Sequence, residues 1–219
     1  MNKLQRLMGR ATLAGLGLAS LGAAWLATAN ADEAPRAVPA AVVDTKTAGK
    51  GLETAVLAGG CFWGVEGVFQ HVKGVTEVLA GYSGGAKMSA NYPMVTTELT
   101  GHAESVQIKF DPRQITYGQI LRIYFSVAHD PTQVNRQGPD TGSSYRSNIF
   151  AANDEQAKIA RAYIVQLDKA HVFSKPIATR VDPLKGFYAA ESYHQDFLIK
   201  NPDNGYIVIN DLPKITNLK

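Results

Sequence analysis

Apolar and polar positions alternate most cleanly between His102 and Phe110. Glu104, Val106, Ile108 and Phe110 share one side, and Ser105, Gln107 and Lys109 share the other. That two-residue period predicts a strand with one buried face. Residues 54–58 (Thr-Ala-Val-Leu-Ala) are a shorter, unbroken apolar run leading into glycines, which predicts a buried strand. Another strand is predicted at 75–81, ended by Ser83-Gly84-Gly85. A helix is predicted at about 62–72, with Val65, Val68 and Phe69 on one side, and a second at 117–128, N-capped by Thr116. The strongest helix is at 154–170, where Ile159, Ala160, Tyr163, Ile164 and Leu167 form one stripe and Asp154 and Lys158 add an i,i+4 pair. Short strands at 147–151 and near 177–181 and a short helix near 191–200 complete the pattern. Strands and helices alternate with paired neighbours, which predicts an α+β fold, a two-layer sandwich with one helical layer on a mixed sheet. Residues 82–101 and 130–146 lack periodicity, and loops of that length in a compact domain are usually functional.

The first 31 residues read differently. Lys3, Arg6 and Arg10 precede an uncharged apolar run at 11–26, and Ala29-Asn30-Ala31 fits a small-x-small cleavage site. This predicts a secretory signal peptide over 1–31 taking the general secretory route, with a retained amino-terminal anchor as the alternative. The run is short of the roughly 20 residues that span a bilayer. Periplasmic or secreted localisation follows, without membrane attachment once the signal is cleaved. Residues 32–51 are rich in Ala, Pro, Thr and Lys without periodicity and predict a disordered tether. The folded domain is then 52–219, a single domain and an expected monomer. Loss of the leader removes three of the 22 basic residues and none of the 19 acidic ones. The mature charge is therefore about zero, with no basic stripe for nucleic acid.

Cys61 is the one cysteine of the 219 residues. It falls in the turn between a predicted strand and a predicted helix, where free N–H groups and the helix dipole favour a thiolate. The alternative is a buried structural thiol. Glu104 shares its strand face with Val106, Ile108 and Phe110. A carboxyl at the mouth of an apolar face is desolvated and rises toward neutrality, fit to protonate a departing oxygen; a strand-end carboxylate reaching solvent is equally compatible with the pattern. Tyr82, Tyr92 and Tyr145 lie in predicted loops and could donate hydroxyls to a polar oxygen. Phe62 and Trp63 flank the sulfur and could line an apolar cage or anchor the helix. No His pair at i,i+4 and no second cysteine offers a zinc or iron–sulfur set. Cys61 with His102 or His194 as base would make a hydrolase or acyltransferase. A non-catalytic binding module with Cys61 structural is a third reading.

Several segments resemble the type A peptide methionine sulfoxide reductases over about residues 53–201: Gly60-Cys61-Phe62-Trp63-Gly64, Gly81-Tyr82-Ser83-Gly84-Gly85, Gly101-His102-Ala103-Glu104, His129-Asp130-Pro131-Thr132-Gln133, the stretch 135–147, and Tyr193-His194-Gln195. The resemblance implies a ferredoxin-like core and the reduction of methionine-S-sulfoxide, free or in oxidised proteins. It implies that Cys61 attacks the sulfoxide sulfur and becomes a sulfenic acid, and that Glu104 protonates the oxygen with Tyr92 and Tyr145 assisting. Phe62 and Trp63 would cage the methyl group and Asp140 would hold the substrate backbone. No bound cofactor or metal is implied. Many relatives carry further cysteines that resolve the sulfenic acid; this sequence has none, so an external thiol is expected: a thioredoxin-like protein, glutaredoxin or glutathione.

Overall fold

The computed structural model describes residues 35–45 and 51–218. The signal peptide expected over 1–31 lies outside the described residues. The strands are β1 (Glu53–Ala58), β2 (Val75–Ser83), β3 (Ala103–Phe110), β4 (Arg136–Gln137), β5 (Asp140–Thr141), β6 (Asn148–Ala151), β7 (Arg180–Pro183) and β8 (Phe187–Ala189). Three helices carry most of the packing: α1 (Phe62–Gln70), α2 (Tyr117–Ile123) and α3 (Asp154–Lys169). Six strands form one sheet in the order β7-β6-β1-β3-β2-β8, and β4 and β5 pair as a separate small hairpin. Only β6 and β7 run parallel in the larger sheet, so it is mixed. Its central order β6-β1-β3-β2, with α1 joining β1 to β2 and α2 between β3 and β6, is the ferredoxin-like connectivity.

The strand alternation decides which side chains meet the helices. Ala55, Leu57, Ala80, Tyr82, Val106, Ile108, Phe110 and Ile149 join one core cluster with Val65, Val68 and Phe69 of α1, Leu121 of α2, and Ile159, Tyr163 and Leu167 of α3. Each fully buried Phe or Leu there contributes about 1.5–3 kcal/mol by leaving water. Val56, Ala58, Ala103 and Phe150 face the other way, in a smaller cluster with Leu184 and Phe187. The stripe predicted for α3 is the one that is buried. Thr116 begins α2 with a reciprocal capping box: its Oγ1 accepts from the Gln119 N–H (3.2 Å) and Gln119 Oε1 accepts from its own N–H (2.8 Å). The helix expected to run on to residue 128 instead widens into a π turn at Tyr124–Ala128, and the His129 side chain takes the Tyr124 carbonyl at 3.0 Å.

Three expectations need correction. Residues 35–45 are not a free tether. Val38 is buried, its carbonyl accepts from Arg122 Nε, and Pro39 accepts from the Tyr163 hydroxyl. Asp44 accepts from the Gly118 N–H at 2.8 Å and from the Thr116 hydroxyl, capping α2. A polar, Pro-rich composition concealed these contacts because they are made mostly by backbone. Tyr82 is not in a loop. It sits in β2, fully buried, because pairing with β3 and β8 extends that strand past the residues its own pattern supports. The strand expected near 177–181 is Arg180–Pro183, positioned by parallel pairing to β6. The β4–β5 hairpin, β8 and the helical segment after residue 206 carried no legible pattern.

Candidate active site

β1 ends at Ala58 and the chain turns through Gly59 and Gly60 into α1. Gly60 has φ of 90°, and a Cβ there would overlap the Gln137 side chain. A Cβ at Gly59 would lie 3.2 Å from both His129 and Tyr124. Neither position tolerates a side chain easily, and the tight turn delivers Cys61 to the N-cap of α1 with 8% of its surface exposed. The N–H of Phe62, one of the free donors of the first turn, donates to Glu104 Oε2 at 3.0 Å. That single bond joins the thiol-bearing turn to β3.

Glu104 is 3% exposed. Burial, reinforced by the carboxylates of Asp140, Glu98 and Asp211, lifts its pKa to about 8 against the pull of the Phe62 N–H. It is therefore a carboxylic acid at neutral pH, as the strand pattern suggested. The thiol departs from expectation. Burial first, then Glu104, Asp211 and Asp140, push Cys61 well above the ordinary cysteine range, and the Trp63 N–H only partly offsets them. The helix terminus alone favours a thiolate. Desolvation beside three acidic groups outweighs it, so the resting form is the thiol.

The loop tyrosines converge on this pair. Tyr92 opens a single helical turn, Tyr92–Val95, whose N-cap Asn91 accepts from the Met94 N–H. Its backbone N–H donates to Glu191 Oε1 at 2.9 Å, and the Tyr82 hydroxyl donates to Glu191 Oε2 at 2.9 Å. Tyr145 ends a turn pinned by Glu98, which accepts from Ser143 Oγ (2.9 Å), the Ser144 N–H (2.8 Å) and Ser144 Oγ (2.6 Å). Burial and then the Glu104 charge raise both the Tyr92 and Tyr145 hydroxyls, and Cys61 acts on each of them as well. Both stay protonated donors. The Tyr82 hydroxyl, committed to Glu191, belongs to the scaffold.

Aromatic rings wall the site. Phe62 is buried against His194 (5.0 Å between ring centres) and Tyr82 (5.8 Å). Trp63 stacks on Phe197 at 3.7 Å, takes Tyr206 edge-on at 5.9 Å, and donates Nε1–H to His194 Nδ1 at 3.2 Å. Asp140, on the small hairpin, accepts from the Tyr206 hydroxyl. Phe62, Trp63, Glu104, Tyr92, Tyr145 and Asp140 thus lie near Cys61. Sequence reasoning missed Tyr206, Glu98, Glu191 and Asp211. Glu98, Tyr206 and Asp211 stand in no periodic segment or motif, Glu191 only opens the short helix expected near 191–200, and tertiary proximity marks all four.

The histidines do not form a Cys–His pair. His102 Nδ1 accepts from the Gly85 N–H and its Nε2 donates to the Ala86 carbonyl, while His194 Nδ1 is taken by Trp63. Among the described residues no cluster of His, Cys, Asp and Glu could hold a metal ion. What the site can do is present a thiol, a neutral carboxylic acid and two phenols to a small polar oxygen beside an apolar aromatic wall.

Residues 53–219 match the family described as peptide methionine sulfoxide reductase. The chain is 62% identical over 177 residues to peptide methionine sulfoxide reductase MsrA 2 of Mesorhizobium japonicum, covering 81% of this chain and 90% of that protein. It is 50% identical to MsrA 2 of a Synechocystis species, over 84% of this chain and 87% of that protein. Among solved structures, reduced Mxr1 from Saccharomyces cerevisiae superposes with a TM-score of 0.65 at 33% identity, over 74% of this chain and 94% of that one. Methionine sulfoxide reductase A of Corynebacterium diphtheriae gives 0.60 at 34% identity, over 78% of this chain and 90% of that one. With its fold, its motifs and its relatives in accord, the chain belongs to the type A peptide methionine sulfoxide reductases, oxidoreductases that return methionine sulfoxide to methionine.

Proposed function

We propose that this protein reduces methionine-S-sulfoxide, free or within oxidised proteins, by a single-cysteine sulfenic acid cycle. The observation that carries the reading is the Phe62 N–H bond to Glu104, which holds a protonated carboxyl beside the Cys61 sulfur. The methyl group of the substrate packs against Phe62 and Trp63, and Asp140 with Tyr206 engages its backbone. The sulfoxide oxygen accepts from Glu104, Tyr92 and Tyr145. The Cys61 sulfur attacks the sulfoxide sulfur, Glu104 gives its proton to the oxygen, and the thiol proton returns to Glu104. The oxygen ends on Cys61, methionine leaves having gained two electrons, and cysteine sulfenic acid remains. Because the protonated acid activates the oxygen, a sulfur that rests as a thiol is consistent with this order: its proton has a nearby acceptor as soon as Glu104 has given up its own.

The sulfenic acid is resolved from outside, since the sequence contains no second cysteine. One external thiol displaces water to form a mixed disulfide and a second releases Cys61. A thioredoxin-like protein, a glutaredoxin or glutathione supplies those thiols. The basic and apolar leader supports a periplasmic or secreted setting, with a retained anchor as the alternative, and oxidised exported proteins as the substrates of this repair.

A single-turnover experiment tests the core of the proposal. The reduced protein is mixed with excess methionine-S-sulfoxide without reductant, and methionine is counted against intact mass. One methionine per chain with one oxygen gained on Cys61 is expected. Methionine absent and Cys61 unchanged would remove the mechanism.

A further inference from the structure

The C-terminal segment buries a charge pair that the chemistry above does not use. Asp211 closes the π turn Ile207–Asp211, and Lys214 follows in α4 (Leu212–Asn217). Their side chains are 0% and 5% exposed, with Lys214 Nζ 3.4 Å from Asp211 Oδ1. Both press on the first turn of α1. A Cβ at Gly64 would overlap Asp211 Oδ1 and lie 3.3 Å from Lys214 Nζ. The glycine at the third position of that helix therefore admits an ion pair. The Lys214 charge also reaches His129, which backs the glycine turn that delivers Cys61.

As a staple this pair is poorly chosen. Desolvating two charges offsets most of their attraction, and a well-packed apolar pair would serve stability as well or better. An ammonium at a helix N-terminus also opposes the helix dipole. As an electrostatic setting the location makes sense, because the residue that begins this helix is Cys61. Glu104 from β3, Asp140 from β5 and Asp211 all act on that sulfur, and the Tyr92, Tyr145 and Tyr206 hydroxyls feel it in turn. Lys214 brings a positive charge into this acidic surrounding, held by Asp211.

We propose that Asp211 and Lys214 are positioning residues that set the reactivity of the Cys61 sulfur through a paired charge held against the first turn of α1. The inference rests on Cys61 as the nucleophile, but its test reads the sulfur directly and not turnover, so either reading can fail while the other stands.

The test is the pH profile of Cys61 alkylation by iodoacetamide in the intact protein, where a single cysteine makes the signal unambiguous. Asp211→Asn removes the carboxylate and keeps the ammonium, and is expected to speed alkylation about tenfold near pH 8, a profile shift of about one pH unit. Lys214→Met leaves the carboxylate and is expected to slow alkylation by a comparable factor. Lys214→Arg keeps the charge and the wild-type profile. Circular dichroism checks each fold. Two neutralising variants that move the profile in the same direction, or leave it in place, overturn the proposal, since mere loosening would expose the thiol in both. Should Asp211→Asn not fold, the Lys214 variants decide: slowing in Met with no change in Arg supports the proposal, and equal rates overturn it.

Discussion

Two buried polar clusters flank the end of β1. On one side, His129 Nδ1 donates to the Tyr124 carbonyl (3.0 Å) and its Nε2 meets Ser147 Oγ (2.8 Å). Ser147 Oγ also meets Thr179 Oγ1 and the Tyr124 hydroxyl, which donates to the Ala58 carbonyl at 2.7 Å. Every polar side-chain atom in that network has a partner, and burial holds His129 neutral, with its pKa lowered to about 3. On the other side, the carboxylates of Asp140 and Asp211 act on the buried Cys61 and Glu104 and reinforce the rise that burial imposes on both. The first cluster holds the turn; the second stores the chemistry. A buried polar residue is thus read by whether its neighbours satisfy it or strain it.

The contrast can be broken most severely at the sulfur. Cys61→Ser should lower methionine formation by at least about 10⁴-fold in a coupled assay, because nothing replaces the acceptor of the oxygen. Glu104→Gln comes next, with a single-turnover rate loss of about 10²–10⁴-fold and nearly unchanged substrate binding; equal rates would remove Glu104 from the acid role.

The pH dependence of the two clusters has opposite sign. Glu104 keeps its proton in the folded state up to about pH 8, while the unfolded carboxyl ionises near 4.5. Its contribution to stability is therefore present in acid and is lost as pH rises through that window. Glu104→Gln should accordingly raise Tm at pH 8 relative to wild type while activity falls. The wild-type single-turnover rate should decline above about pH 8 as the acid ionises. His129 runs the other way. Its folded pKa of about 3 lies below the unfolded 6.5, so its contribution is present above 6.5 and is lost as pH falls toward 3.

Tyr124→Phe probes the satisfied network. Removing the hydroxyl takes a donor from the Ala58 carbonyl and a partner from Ser147 Oγ, and should cost about 1–3 kcal/mol in urea unfolding. Turnover per folded molecule should stay close to wild type; a fall like that of Glu104→Gln would erase the distinction between the clusters. The smallest effect is expected at Asp44→Ala, remote from the site, which loses a cap on α2 worth about 0.5–2 kcal/mol and leaves turnover unchanged. No change in stability there would return residues 35–45 to the role of a passive tether.

How far the sequence reaches differs between fold and site. The alternation at 102–110 places Glu104 on the buried face, the glycines around Cys61 mark a tight turn, and the α3 stripe names its own core residues. These are local periodicities, set by backbone geometry and the side-chain contrast between water and core, and they survive reading from the chain alone. Motifs added seven candidate site residues and the family. Tertiary structure alone decided the rest. It extended β2 to take in Tyr82, recruited residues 35–45 to cap and cover helices, and brought Glu98, Glu191, Tyr206 and Asp211 to the site from distant segments. It also decided the state of the thiol. A helix N-terminus predicts a thiolate from sequence, but desolvation and the proximity of three carboxyl groups depend on positions in space, and they prevail.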